Sequence, residues 1–129
     1  MDIQKIVQKI LKLDTKKKVK FIVLFGSVAR GEHTPLSDID FAVYYDGKVD
    51  ERFRFRIKLL GLLPDRADVQ MFQDLPLAVQ KEVIKGKVVY SNNFQFVFDS
   101  FMNVIKEFST FEKYYNRALE ELRKEVGVV

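Results

Sequence analysis

The stretch FGSVARGEHTPLSDIDFAV, from Phe25 to Val43, decides the fold expected of this chain. Gly26 and Ser27 follow a short apolar run that predicts a buried strand. After ten intervening residues, Asp38 and Asp40 open a second run in which polar and apolar positions alternate, so both carboxylates point to the same face of a strand. Two carboxylates on a core strand repel each other and resist dehydration, and a bound cation would compensate for that cost.

Strands and helices alternate through the first three quarters of the chain. Hydrophobic periodicity and turn residues predict short apolar strands separated by amphipathic helices, which indicates an α/β (α+β) fold with a mixed sheet of about four strands and helices packed on it. The predicted elements are a helix over 2–14, strands over 19–25 and 38–45, a helix from Asp50 to the stop at Pro64, a strand over 67–72, a helix from Pro76 to Gly86 and a strand over 87–91.

The C-terminal segment, residues 93–126, is helical in pattern throughout. Aromatic and aliphatic residues follow a four-three spacing that Glu112 interrupts. One straight helix of this length would be about 50 Å long, against roughly 30 Å for a small domain, so its second half would extend to a partner chain. Ser109 with Glu112 also forms a possible capping box, and a break into two helices there is the alternative.

Composition limits the class of protein. The 129 residues predict one domain spanning 1–129, with a core over about 19–91, and 47% apolar with 31% charged residues is typical of a folded soluble domain. There is no cysteine, and no apolar run approaches the roughly 18 residues of a membrane span, so a cytoplasmic location is expected. The basic excess lies in the first twenty residues, and its run of lysines, 16–18, is interpreted as a solvated helix end.

Gly26 and Ser27 form the first half of a predicted nucleotide site. A glycine without a side chain lets a phosphate approach the backbone at the sheet edge, and Ser27 adds a hydroxyl donor. If a short helix starts at Ser27, its unpaired N–H groups face the same position. Asp38 and Asp40 form the second half, because paired carboxylates suit Mg²⁺ that also bridges to substrate phosphates.

A third carboxylate on a neighbouring strand would bind a second metal ion or accept the proton of an attacking hydroxyl. Asp68 is the preferred candidate, because it lies on a predicted strand with the required alternation. Asp65 lies in the turn that precedes this strand, and Asp74 is interpreted as a cap for the helix that begins near Pro76. The preference for Asp68 depends on a strand pairing that sequence does not reveal.

These residues resemble a known family. Gly26-Ser27, ten residues, then Asp38-x-Asp40 is similar to the signature of the DNA polymerase β-like nucleotidyltransferase superfamily. In a chain this short, the string GSVARG…SDIDFAV resembles the minimal nucleotidyltransferases of that superfamily. The resemblance covers roughly residues 19–91.

The resemblance implies transfer of a nucleoside monophosphate, AMP from ATP, onto a hydroxyl acceptor. It implies two Mg²⁺ ions on Asp38, Asp40 and a third aspartate that matches Asp68. Arg30 matches a basic position of the motif, where it either contacts the triphosphate or pairs with Glu32 or Asp38. Minimal members are commonly paired with a helical HEPN toxin, and the resemblance implies an antitoxin that adds AMP to a tyrosine of such a partner.

Two other functions stay open. One is a small-molecule nucleotidyltransferase that modifies an aminoglycoside-like alcohol at a homodimer interface. The other is a non-catalytic antitoxin that acts by docking alone. Nucleic acid is not an expected partner, since no base-reading or stacking motif accompanies the lysine-rich start. The single histidine, His33, is expected to be a solvated loop residue and not a catalyst.

Overall fold

The computed structural model of the protein describes residues 3–32 and 34–127. It contains the strands and helices that the hydrophobic pattern predicts, and a short 3₁₀ turn between two of them. In chain order they are α1 (Ile3–Leu13), β1 (Val19–Phe25), α2 (Gly26–Ala29), β2 (Ile39–Tyr45), α3 (Val49–Leu62), β3 (Ala67–Met71), the 3₁₀ turn (Phe72–Asp74), α4 (Leu77–Val83), β4 (Lys87–Ser91) and α5 (Phe94–Glu125).

The four strands form one mixed sheet in the order β3-β2-β1-β4. Strand β1 is antiparallel to both β2 and β4, whereas β2 and β3 are parallel. Parallel neighbours need a crossover connection, and α3 supplies it. The expected mixed α/β sheet is confirmed. The C-terminal end of β1 and the N-terminal ends of β2 and β3 consequently lie at the same end of the sheet. The candidate site residues lie at these strand ends, and we call this end of the sheet the catalytic edge.

Helices cover both faces of this sheet. On one face, α1 and α3 pack on β1, β2 and β3, and Ile10, Phe41 and Leu59 are fully buried there. On the other face, α4 and α5 enclose a second cluster around Phe21, whose ring contacts those of four other aromatic residues: Tyr44, Phe72, Phe96 and Phe101. The alternation in β2 therefore divides its side chains between two cores, as the sequence predicts.

Two strand boundaries differ from the prediction by one residue. Asp38 directly precedes β2, since the first pair between β2 and β3 is Ile39 with Ala67. The third strand ends at Met71, because Phe72 starts the 3₁₀ turn that carries its ring into the second core. Two of the predicted positions lie outside the described residues: Asp2, at the start of the first helix, and the loop residue His33.

The C-terminal segment is one helix. Helix α5 has 32 residues and continues through Ser109 without a break, so the capping-box alternative is wrong. Its length of about 48 Å exceeds the width of the sheet that it crosses. Val97 and Val104, its buried residues, lie in the first half. Among the described residues, no helix is long and apolar enough to span a bilayer.

Candidate active site

Gly26 lies where β1 ends, and its backbone is shaped around Asp40. The Cα partner of Phe25 in the neighbouring strand is Asp40, so the next residue of the chain turns over that carboxylate. Gly26 has a φ of +76°, and a Cβ atom there would be 2.2 Å from Oδ2 of Asp40. Both the backbone conformation and the space therefore require glycine. The sequence argument foresaw open backbone for a phosphate but not this contact.

Helix α2 begins at Gly26, and it places Ser27 in its first turn. The conditional prediction of a short helix at this point is therefore correct. Ser27 is half-buried beside the end of β1. The first N–H groups of a helix lack partners within the helix, so this turn offers a hydroxyl and backbone donors at the catalytic edge.

Asp40 and Asp68 are side by side. They are register partners in the parallel pair β2–β3, and both are half-buried. Partial burial is the main cause that raises the pKa of Asp40, followed by the negative charges of Asp68 and Asp38, while the charge of Arg30 opposes the rise. A hydrogen bond between the two carboxyl groups acts in the same direction as burial. The strand pairing on which the choice of Asp68 depended is thus present.

Asp38 is exposed, one residue before β2, and its backbone is held in place by Arg66. The Arg66 guanidinium donates to the carbonyl oxygen of Ser37 from Nε at 3.1 Å and from Nη2 at 2.6 Å. The N–H of Ile39 donates to the carbonyl of Arg66 at 2.8 Å. Both neighbours of Asp38 therefore bond to one residue of the turn before β3. Sequence reasoning missed Arg66, although its place beside Asp65 in that turn was visible.

Arg30 follows α2, and its Nε donates to Glu32 Oε2 at 3.0 Å. Of the two carboxylates named as alternatives, Glu32 is thus the one that it pairs with. The pair is exposed, and such pairs contribute little to stability, so Arg30 can leave Glu32 at small cost. Its charge still acts on Asp40.

The two other candidate aspartates lie elsewhere. Asp65 is exposed in the turn before β3, as predicted. Asp74 does not cap α4, so that interpretation is wrong: the N-cap of α4 is Pro76, and no side chain caps it. Instead, both carboxylate oxygens of Asp74 accept hydrogen bonds from Arg52 on α3. Asp74 bonds to Arg52 and not to the first N–H groups of α4, because a bidentate guanidinium–carboxylate contact is stronger than hydrogen bonds to uncharged backbone N–H groups.

Within residues 3–32 and 34–127, no three His, Cys, Asp or Glu side chains are arranged so that they could together hold a metal ion. Mg²⁺ does not need such a cage, because it commonly takes one or two carboxylates, substrate phosphates and water. The oxygen donors of Asp38, Asp40 and Asp68 suit this hard cation. The carboxylate charge that raises the pKa of Asp40 is also what a cation would neutralise.

A glycine turn packed against a carboxylate, beside a second carboxylate at the same edge of a mixed sheet, is the arrangement expected of a nucleotidyltransferase site. Residues 5–95 match the family described as "Polymerase beta, Nucleotidyltransferase", and the chain belongs to that family. The predicted nucleotidyltransferase fold and family are confirmed. The match stops where α5 begins.

Curated relatives come from Methanocaldococcus jannaschii. One, "Putative protein adenylyltransferase MJ1547", is 35% identical over 79 residues, which are 60% of this chain and 61% of that protein. A second, "Putative protein adenylyltransferase MJ1379", is 43% identical over 72 residues, which are 50% of this chain and 72% of that protein. The match to the first therefore spans about three fifths of its length.

Solved structures share the fold over nearly the whole chain. A toxin–antitoxin complex with AMP-PNP contains a chain with a TM-score of 0.73 at 20% identity, covering 94% of this chain and 98% of the other. A tri-AMPylated Shewanella oneidensis HEPN toxin in complex with MNT antitoxin gives 0.66 at 20% identity, covering 92% and 97%. This coverage must include most of α5, which is a quarter of the chain.

Proposed function

We propose that this protein transfers AMP from ATP onto a protein hydroxyl, a tyrosine of a HEPN partner, and thereby acts as an antitoxin. One observation carries the proposal. The turn at Gly26 and the carboxylates of Asp40 and Asp68 meet at one edge of the sheet, which would bring the phosphates of ATP and an acceptor hydroxyl to the same place.

The chain's own groups divide the chemistry between them. The turn of Gly26 and Ser27 binds the phosphates through backbone N–H groups and a hydroxyl. Arg30 swings from Glu32 onto the triphosphate, which has more negative charge than a single carboxylate. Asp38 and Asp40 would hold Mg²⁺, with Asp68 beside them for a second ion, and the metal would neutralise the charge that develops on the phosphates.

The transfer itself needs no covalent enzyme intermediate. The acceptor oxygen forms a bond to the α-phosphorus of ATP as the bond between that phosphorus and the departing pyrophosphate breaks. The hydroxyl proton passes to a carboxylate, and Asp68 is the candidate because it lies beside Asp40 at the edge that the acceptor must reach. The products are AMP-modified protein and pyrophosphate.

The relatives support a protein acceptor and a HEPN partner. The curated relatives are named as protein adenylyltransferases. One matched structure holds a HEPN toxin that carries AMP, and another was solved with AMP-PNP. A small-molecule acceptor has no comparable support among these relatives.

Intact mass spectrometry of a co-expressed HEPN partner tests the proposal. With the wild-type protein, ATP and Mg²⁺, the partner should gain about 329 Da per modified tyrosine, the mass of one AMP. The double variant Asp38→Asn/Asp40→Asn should give no gain, because the amides cannot hold the metal. Asp68→Asn should lose most of the activity.

Asp65→Asn is the matched control for Asp68→Asn, since Asp65 is an exposed aspartate three residues earlier, in the turn that precedes β3. It should keep full activity. A partner that never gains mass, but stays bound and silenced by the double variant, would contradict the enzyme proposal in favour of docking alone. Modification of an aminoglycoside-like alcohol with no modification of the partner would also contradict it.

A further inference from the structure

Helix α5 lies on the face of the sheet to which the catalytic carboxylates belong. Val97 and Val104 of α5 pack in the same core cluster as Ala42 of β2. Asp40 precedes Ala42 by two residues, and alternate residues of a strand share a face. Asp68 is the register partner of Asp40 on β3 and lies on that face too.

Helix α5 leaves the domain close to the catalytic edge. It runs beside α4, where Nζ of Lys81 lies 3.8 Å from the ring centre of Phe108. Helix α4 ends shortly before Gly86, where an added Cβ atom would lie 2.3 Å from the carbonyl oxygen of Leu24. Leu24 is two residues before Gly26, so the end of α4 lies near the catalytic edge. Residues 113–125, which we call the overhang, make up the last 20 Å or so of α5 at about 1.5 Å per residue, beyond the contact with α4 at Phe108.

The apolar face of α5 continues from the core into the overhang. Positions four and three residues apart share a face of a helix, so the series through Val104 and Phe108 continues with Phe111, Tyr115 and Leu122. The last three, which we call the apolar strip, are 53%, 52% and 54% exposed. The side of the helix that faces the sheet in the first half is thus open to solvent in the second half.

Charge indicates the chemistry of what covers the strip. A groove of about 530 Å³ lies beside it, between α4 and α5. The charged residues that line this groove are Lys81, Lys85 and Lys113 against the single Glu112. An amphipathic helix with an apolar face and an acidic flank would complement the strip and the groove together.

We propose that residues 111–125 of α5 are the docking arm for the acceptor protein, and that such a helix of the acceptor protein binds the apolar strip. This inference rests on the proposed function, because a protein acceptor must come to the catalytic edge, and α5 runs toward that edge beside α4 on the carboxylate face. The matched chains, whose coverage takes in most of α5, come from toxin–antitoxin complexes.

The triple variant Phe111→Ala/Tyr115→Ala/Leu122→Ala tests the docking arm. Alanine keeps the helix, and the three side chains are exposed, so the fold should persist. With the HEPN partner as acceptor, the KM for the partner should rise at least about tenfold, because a few large anchor side chains carry most of the binding energy of an interface and the variant truncates three of them. The kcat at saturating partner, and transfer onto a short tyrosine peptide at high concentration, should stay at the wild-type level.

The matched control is Lys106→Ala/Glu120→Ala, which removes two exposed charges of opposite sign from the other side of α5 and should change neither constant. An unchanged KM in the triple variant would overturn the docking arm while leaving the proposed function intact. A wild-type dimer that the triple variant converts to a monomer in light scattering would also overturn it, in favour of a second copy. Absence of wild-type transfer would count against the proposed function. The docking arm would then still be tested by calorimetry, which compares the affinity of the partner for the wild-type protein and for the triple variant.

Discussion

Gly26 determines where the carboxylate of Asp40 can lie. The variant Gly26→Ala places a methyl group into Oδ2 of Asp40 and forces the strained φ of +76° on alanine. We expect activity to fall by about 100-fold or more, because a displacement of about 1 Å in a catalytic group costs that much. Steady-state transfer to the proposed HEPN partner measures the loss.

Gly31→Ala is the control for the backbone strain alone. Gly31 has a φ of +73°, almost the same as that of Gly26, but no atom lies within 4 Å of its Cβ position. Both variants should lose about 1 kcal/mol of stability through strain, measured by urea unfolding. Equal activity in the two variants would show that the contact between Gly26 and Asp40 is irrelevant to catalysis.

At this scale the sequence pointed to the candidate site residues that spacing can reveal. Gly26, Asp38 and Asp40 are recognisable because the turn and the alternating strand are local features. The neighbour of Asp40 across the strand pair was a choice among three aspartates, since register between β2 and β3 is set by packing far along the chain. The hydrogen bonds between Arg52 and Asp74 could not be predicted for the same reason, because the two residues are 22 positions apart in the sequence.

The loop before β2 is an element that depends on one side chain. Arg66→Ala removes both guanidinium bonds to the carbonyl of Ser37, so Asp38 loses its fixed position. We expect a fall of about 10-fold to 100-fold in activity together with a higher Mg²⁺ concentration for half-maximal rate, as for groups that orient metal ligands. Titration of the transfer rate with Mg²⁺ measures both effects.

Arg66→Lys should recover part of the loss, because an ammonium can still donate one bond to Ser37. Arg54→Ala should behave as wild type, since Arg54 is an exposed arginine whose partner is Asp50 on the same helix. A normal Mg²⁺ requirement in Arg66→Ala, with lower thermal stability only, would reduce Arg66 to a structural role.

Elements were predictable where a periodic pattern is local, and their arrangement was not. The run VKFIVLF predicts β1, and the alternation after Asp38 predicts β2, to within a residue. The order β3-β2-β1-β4 and the antiparallel pairing of β1 with β2 depend on contacts between distant segments. The end of β3 was placed one residue late because Phe72 fits the strand pattern but is drawn into the second core by aromatic packing.

For the whole molecule, the catalytic edge is a cost to folding. Burial and neighbouring carboxylates raise the pKa of Asp40, so its ionised form is disfavoured in the fold. In the presence of EDTA at pH 7, Asp40→Asn should therefore be more thermally stable than wild type while being inactive. Thermal unfolding followed by circular dichroism measures the difference in Tm.

The size of this difference depends on pH. The folded pKa of Asp40 is above its ordinary value of 3.8, so ionised Asp40 lowers the free energy of unfolding by its full amount at pH values above the folded pKa. This destabilisation shrinks as the pH falls from the folded pKa toward 3.8, and it is absent below 3.8. The advantage of Asp40→Asn should shrink accordingly on acidification. Asp65→Asn, at an exposed turn, should show no advantage at either pH, and a lower Tm for Asp40→Asn at pH 7 would contradict the argument.

The unbroken course of α5 fixes a direction as well as a reach. Each residue of a helix turns the chain by about 100°, so inserting or deleting one residue between Val104 and Phe111 would swing the apolar strip away from the catalytic edge. An insertion of seven residues would restore its direction to within about 20° but carry it some 10 Å further out. The number of residues in this segment is thus constrained first by the direction in which the apolar strip must point, and only then by the distance that the helix must span.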